Sequence, residues 1–456
     1  MDSNFDNLML EIFKKCAGRS GCEVCREHME EDCLFFPEMY RLHDLAQETG
    51  SLPDEKDLAS LVDLCTLCGL CPCQDIRVLV LKAKAARAQA KKIPLSAKLL
   101  SDAQQAGRWG TAFSAVVNPL NRLKPVTAMA KKILDIHPER SLPAFPEENF
   151  FVWAKKKGLT APVKRTGQDA SRVAYFAGCS AGYLFPAVAK AAVGLLEQNG
   201  IQVFVPSQHC CGMPLIMEGN QPEATKRIQA NLESLGACMQ EGYDIVCSCP
   251  TCGYFFKKLL LETAYYSDAF QKQSGADATV MKVPSGSKDQ PFTTVPKSIY
   301  QNILKDNGYF SGIDPLQRIT LSLKVKDMGE YLLSLQNSGK AAVGLRNPEQ
   351  PLAYFAPCHQ REQGIGQPYY QLISALPGAD IKHAGTDMQC CGMGGHLGFK
   401  TDFHDHSLAI GGPLFDRLAA AASDRTIITD CLSCRMQLQH QFSRQVFHPL
   451  ELLIAV

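Results

Sequence analysis

The chain has 456 residues and a formal charge of +1, from 47 basic and 46 acidic side chains. That length suits two or three domains, and a composition of 46% hydrophobic and 20% charged residues excludes disorder throughout. No apolar run approaches the roughly 18–20 residues of a membrane span, and the acidic start MDSNFDNLML lacks the basic-then-apolar pattern of an export signal. The exceptional feature is 20 cysteines.

Disulfide-dense proteins are usually small secreted domains that cannot bury a core. A chain of this length can bury one, and adjacent pairs such as Cys210-Cys211 and Cys390-Cys391 suit ordinary bridges poorly. Thiolates clustered at short spacing in a reducing cytosol suit soft metals, above all zinc or iron–sulfur clusters.

In chain order, the first set is Cys16, Cys22, Cys25 and Cys33, in a segment 1–56 with 13 acidic and 6 basic residues. Residues 57–100 read mostly helical, with DIRVLVLKAKAARAQAKK (75–92) the clearest case. They hold the second set, Cys65, Cys68, Cys71 and Cys73. The spacing Cys65-x2-Cys68-x2-Cys71 lets one loop wrap three corners of a [4Fe–4S] cube. In two-cluster ferredoxins a fourth cysteine, usually beside a proline, ligates the other cluster. Here the ending is the short Cys71-Pro72-Cys73, and Cys33 is followed by LFFP. The eight cysteines read as two ferredoxin-type sets of four in an α-helical ferredoxin-like domain over 1–100; a pair of structural zinc sites is the alternative.

Residues 81–132 carry 11 basic residues and one acidic. Segment 110–135 mixes apolar with basic residues, inside a linker 101–170 with an amphipathic segment. It reads either as a solvated face on a core-packed linker or as a docking surface for acidic lipid or an acidic partner.

The remaining cysteine motifs are one pattern written twice. The first copy is Cys179, then Cys210-Cys211-Gly212, then Cys249-Pro-Thr-Cys252; the second is Cys358, Cys390-Cys391-Gly392 and Cys431-Leu-Ser-Cys434. Recurrence in register implies a duplicated domain. Each station ends a short apolar run: VAYFAGC, IQVFVPSQHCC, YDIVCSC, LAYFAPC and TIITDC. These read as buried strands, alternating with helical stretches at 187–200 and 224–242. The pattern predicts an α/β fold, two tandem doubly wound repeats at 171–265 and 351–456 joined by a connection at 266–350 that includes a helix at 328–336. Such sheets place ligands at the carboxyl ends of their strands, so five cysteines converge on one rim per repeat.

Five thiolates exceed the four of a zinc tetrahedron and favour an iron–sulfur centre, with zinc in either repeat as the alternative. Gly212 and Gly392 suit tight turns beside the paired cysteines. Cys238 reads as a core residue, and Cys247 lies within the strand run that precedes Cys249; neither is in the ligand set. His209, His359 and His396 adjoin the cysteines and either donate to sulfur, move protons to a bound quinone, or simply pack. The run Gly392-Met-Gly394-Gly395 is not a dinucleotide fingerprint, and no flavin or nicotinamide motif is present.

At CTLCGLC, NPLNRLKP, DIHPERSLP, AGC, CCGMPLI, APCH, CCGMGGHLGFK, AIGGPLF and TDCLSC the sequence resembles the CCG-domain iron–sulfur protein family. That family includes the C subunit of anaerobic glycerol-3-phosphate dehydrogenase and the B subunit of heterodisulfide reductase; the iron–sulfur subunits of glycolate and lactate oxidases look similar. The resemblance runs over most of 57–265 and 350–456. It implies an electron-transfer subunit of an oxidoreductase complex, peripheral on the cytoplasmic face of the cell membrane. It would take electrons from flavoprotein dehydrogenase subunits of the glycerol-3-phosphate type and pass them to menaquinone or ubiquinone, with no nucleic acid partner. It also implies up to two noncubane [4Fe–4S] clusters, one on each five-cysteine unit. Alternatives are a heterodisulfide-reductase-type catalytic subunit that cleaves a disulfide, an iron–sulfur subunit of a glycolate or lactate oxidase, and a zinc scaffold.

Overall fold

The computed structural model describes residues 3–17, 24–29, 32–163, 171–287, 289–301, 303–338, 344–385 and 388–454. The N-terminal part is helical: Ser3–Ala17, Val24–His28, Phe35–Thr49, Glu55–Asp63 and Gln74–Ala90. Phe5, Met9 and Ile12 recur at helical spacing and bury against Phe36, Met39, Leu61 and Val80, so these helices share one core. The cysteine-rich loop between the last two helices is wound tightly, with Leu67 and Gly69 both left-handed (φ 55° and 88°).

The linker is helical as well: Leu95–Ser101, Ala103–Ala112, Ser114–Leu120, Lys124–Ile133 and, further on, Phe150–Lys156. Helix Lys124–Ile133 buries none of its residues. No helix among the described residues is long and apolar enough to cross a membrane.

The strands among the described residues are β1 Arg172–Phe176, β2 Gln202–Phe204, β3 Asp244–Cys247, β4 Val280–Pro284, β5 Phe292–Pro296, β6 Val325–Asp327, β7 Leu352–Phe355, β8 Ile381–His383 and β9 Thr426–Thr429. One sheet runs β2-β1-β3-β6 and another β8-β7-β9, all parallel; β4 and β5 form an antiparallel hairpin. The central strands β1 and β7 are buried nearly end to end, as parallel strands covered on both faces must be. Helices Pro186–Gln198 and Gln221–Gln240 cross over in the first unit, and the architecture is the α/β one expected.

Two elements differ from the sequence expectation. The first sheet takes its fourth strand, β6, from the segment read as a connection. Helix Met328–Asn337 follows it, capped by Asp327 and Glu330. The second unit ends in the same way: Phe447 bridges Ile428 in parallel, and His448 with Glu451 caps helix Pro449–Leu453. The β4–β5 hairpin is thus an insertion within the first unit, between its last cysteine pair and its last strand. Strand β8 was not legible either, because Ile381-Lys382-His383 carries one apolar residue in three.

The two sheets share a core in which Tyr175, Leu332, Tyr354, Tyr369, Ile428 and Leu450 pack together. The duplication reaches its buried hydrogen bonds. Tyr175 meets Ser248 at 2.6 Å and Tyr354 donates to Asp430 at 2.9 Å, each tying the first strand of its unit to the residue before the Cys-x-x-Cys pair. A buried Arg77–Glu262 pair at 2.6 Å joins helix Gln74–Ala90 to the first unit. Removing either partner would strand a buried charge, which makes the pair a firm clamp on geometry.

Candidate metal centres

No disulfide joins any of the described cysteines. Cys33, Cys65, Cys68 and Cys71 line one cavity in the helical part, together with Arg77 and Cys390. Of the first expected set, Cys33 lines this cavity with the three cysteines of the tight loop, while Cys73 lies exposed as the residue before helix Gln74–Ala90. Cys16 and Cys25 are buried in the helical core, and Cys22 lies outside the described residues. Burial above all, then neighbouring sulfur charge, pushes the Cys71 thiol up to about 12; burial likewise takes Cys33 to about 12.

In each repeat the cysteines sit where the strands end. Cys179 follows β1, Cys210 and Cys211 follow β2, and Cys249 and Cys252 follow β3; Cys358, Cys390, Cys391, Cys431 and Cys434 repeat this after β7, β8 and β9. Cys210 and Cys179 sulfurs are 3.5 Å apart, and Cys434 and Cys391 sulfurs 3.0 Å. The turn glycines have φ of 105° (Gly212) and 73° (Gly392), and a Cβ at Gly392 would lie 1.9 Å from the Ser407 carbonyl oxygen, so only glycine fits there.

The two rims face each other. One cavity is lined by Cys179, Cys211, Cys249 and Cys252 of the first unit and by Cys358, Cys390, Cys391, Cys431 and Cys434 of the second. Cys68 of the N-terminal loop lines it too, and Cys68 and Cys390 therefore belong to the walls of both cavities.

The donor set fits a cationic sulfur-ligated centre. Sulfur–sulfur hydrogen bonding and burial push Cys179, Cys252, Cys358, Cys391 and Cys434 well up. The same bonds pull Cys211 down to about 6 and Cys431 to about 7, and hold Cys390 low. Crowded buried sulfurs sharing protons release them to a metal, which then supplies the missing positive charge.

Residues 173–257 and 352–439 each match the family model described as the cysteine-rich domain CCG. The chain carries two CCG domains. It is 25% identical to the C subunit of anaerobic glycerol-3-phosphate dehydrogenase of Escherichia coli K12 over 357 residues, 78% of this chain and 75% of that one. It is 24% identical to the B subunit of fumarate reductase (CoM/CoB) of Methanothermobacter marburgensis, over 64% of this chain and 48% of that one. It is also 24% identical to lactate utilization protein A of a Geobacillus strain, over 62% of this chain and 98% of that one. The CCG domains and these relatives support iron–sulfur clusters and an oxidoreductase-associated role for this chain.

The sequence pattern did not single out Met213 and Met393, which line the shared cavity. Each follows CysCysGly directly, so the repeat itself marks the position. Of the three flagged histidines, His359 is a tie rather than a proton carrier. Its Nε2–H donates to the Leu67 carbonyl at 3.2 Å and its Nδ1 accepts from the Thr251 hydroxyl at 2.9 Å, so one ring joins the N-terminal loop and both CCG domains. Burial holds it at about 4, and its ring stacks on Tyr254. His396 donates to Glu218 at 2.6 Å, and Lys400 pairs with the same oxygen. The half-buried His209 ring meets the Gln104 side chain. Replacing His359 with alanine strands two partly buried partners and loses the stack. It should cost about 2–3 kcal/mol in denaturant unfolding, against less than about 1 kcal/mol for His209→Ala. Equal costs for the two would remove His359 from its joining role.

Proposed function

We propose that this chain is the iron–sulfur electron-transfer subunit of a respiratory dehydrogenase, taking electrons from a flavoprotein partner of the glycerol-3-phosphate type and passing them to membrane quinone. The observation that carries the reading is the pair Cys68 and Cys390, which stand in the walls of both cavities. Four residues of the N-terminal part (Cys33, Cys65, Cys68 and Cys71) would hold one [4Fe–4S] centre, and Cys16, Cys22 and Cys25 would serve a second, as their spacing in the sequence suggests. Each CCG domain would hold one noncubane centre on its five cysteines. Bound clusters supply one-electron carriers, which a two-electron flavin donor requires.

The chain's own residues supply insulation and position. Cys68 and Cys390 are half-buried where the two cavities meet, and His359 and the Arg77–Glu262 pair fix the N-terminal loop against both CCG domains. In this reading the order is a helical cluster domain, a linker and two CCG units, the first reaching through β6 and helix Met328–Asn337. A second reading, a catalytic subunit that reduces a disulfide, is favoured by the opening of both cysteine rims on one cavity. With the flavoprotein partner and substrate present, the anaerobic complex should reduce quinone and leave disulfides intact. Cys390→Ser should lower the quinone rate at least about tenfold while a dye still accepts electrons from the flavin. Disulfide reduction at the quinone rate would favour the second reading instead.

The membrane side of the proposal rests on the linker helices. Leu95, Trp109, Phe113, Val116, Met129 and Ile133 are exposed large apolar side chains, and Met129 and Ile133 lie on the helix that buries nothing. Arg122, Lys124, Lys131 and Lys132 line a groove beside them. Apolar residues flanked by lysine and arginine match the interface of an anionic bilayer, and this face supports a peripheral location. Lys124→Gln with Lys132→Gln should weaken binding to phosphatidylglycerol-containing vesicles, by about 1 kcal/mol per charge at low salt and less at high salt. Binding equal to that of the unaltered protein in low-salt flotation would place this face elsewhere.

A further inference from the structure

Away from the cysteines, a second set of metal-type donors meets at the junction of the linker and the second CCG domain. One donor from each of His137, Glu139 and His404 lies within 4.8 Å of the others. His404 is 2% exposed, and neither of its ring nitrogens has a hydrogen-bond partner; the closest carboxylate oxygen, on Glu139, is 3.5 Å from Nε2. Leaving both nitrogens of a buried imidazole unpaired is costly, and a bound ion relieves it.

The backbone holds the donors ready. Ile136 bridges Lys400, the His137 N–H donates to the Phe399 carbonyl at 2.8 Å, and the Thr401 N–H donates to the Asp135 carbonyl at 3.2 Å. Loop 135–140 is thereby strapped to the segment that leads into helix His404–Ala421. Arg140, buried behind it, is held by Ser407 at 2.8 Å and by Gln437. Burial first, then the Arg140 cation, keeps the His404 ring neutral, the form a metal takes. Glu139 and the exposed Asp405 offset the arginine charge. The His137 and His404 rings are stacked at 3.6 Å and 8°, so both planes cannot converge on one ion as they stand. His137 is half-exposed, and its Nδ1 accepts the Glu139 N–H at 3.4 Å, so binding one ion requires the ring to turn out of the stack; the His440 ring lies 6.2 Å from His404.

We propose that His137, Glu139 and His404 form a zinc site separate from the cysteine centres. Two imidazoles and one carboxylate are a zinc donor set, with water or His440 completing a tetrahedron. An ion there pins loop 135–140, which continues directly from the exposed helix Lys124–Ile133, onto the second CCG domain. No redox step is involved.

The test is zinc and iron content, by plasma mass spectrometry, of the anaerobically purified full chain after dialysis against one zinc-buffered solution. Unaltered protein should retain about one zinc per chain more than His404→Ala, with iron equal in the two. Zinc taken up by cysteines would be common to both. If His404→Ala does not fold, His137→Ala and Glu139→Gln decide the matter, since both positions are solvent-accessible; each should lower zinc affinity about tenfold or more. Equal zinc in unaltered protein and variants, or none retained in the unaltered protein, overturns the site.

Discussion

The structure is organised around one cost: many thiols buried at strand ends with too little positive charge near them. Burial and neighbouring sulfurs push Cys179, Cys252, Cys358, Cys391 and Cys434 upward together. One sulfur of the first repeat, Cys211, and two of the second, Cys390 and Cys431, are correspondingly pulled down by their neighbours' hydrogen bonds. Apolar replacements would remove that cost only by abolishing the rim, and a cationic centre removes it while keeping the sulfurs. The fold's other features follow from presenting that rim. Parallel sheets put the stations on one edge, left-handed Gly212 and Gly392 turn the paired cysteines inward, and the duplicated tyrosine hydrogen bonds fix the loops from below.

Bringing two rims onto one cavity requires the domains to be held in register with the N-terminal loop. Two buried contacts do this. His359 joins Thr251 of the first CCG domain to Leu67 of the loop, and Arg77 with Glu262 clamps the following helix. Both lie next to the cysteines they position, so the local structure that builds the cavities also couples them. Cys68 and Cys390 end up side by side in the walls for that reason.

Much of this was legible in the sequence, because the chemistry is written in cysteines whose spacing survives duplication. The strands at VAYF, DIVC, LAYF and TIIT read as buried runs and lie where expected. The second-unit strand β8 was hidden by its lysine and histidine, and β6 by the hairpin inserted before it. The capping pairs Asp327/Glu330 and His448/Glu451 were the available sign that both units end alike. That Cys33 shares a cavity with Cys65, Cys68 and Cys71 was not legible from spacing. It depends on how the helix that starts at Phe35 carries Cys33 toward the loop, a tertiary matter. His359 read equally as carrier or tie until both of its nitrogens had partners.

We propose that Cys33 completes a metal centre with Cys65, Cys68 and Cys71 and that Cys73 does not. Iron analysis of anaerobically purified Cys33→Ser and Cys73→Ser proteins tests it most directly. Cys33→Ser is expected to lose about four irons per chain, as Cys68→Ser would, while Cys73→Ser keeps the full complement. Equal loss in Cys73→Ser and Cys33→Ser, or zinc in place of iron throughout, would contradict it.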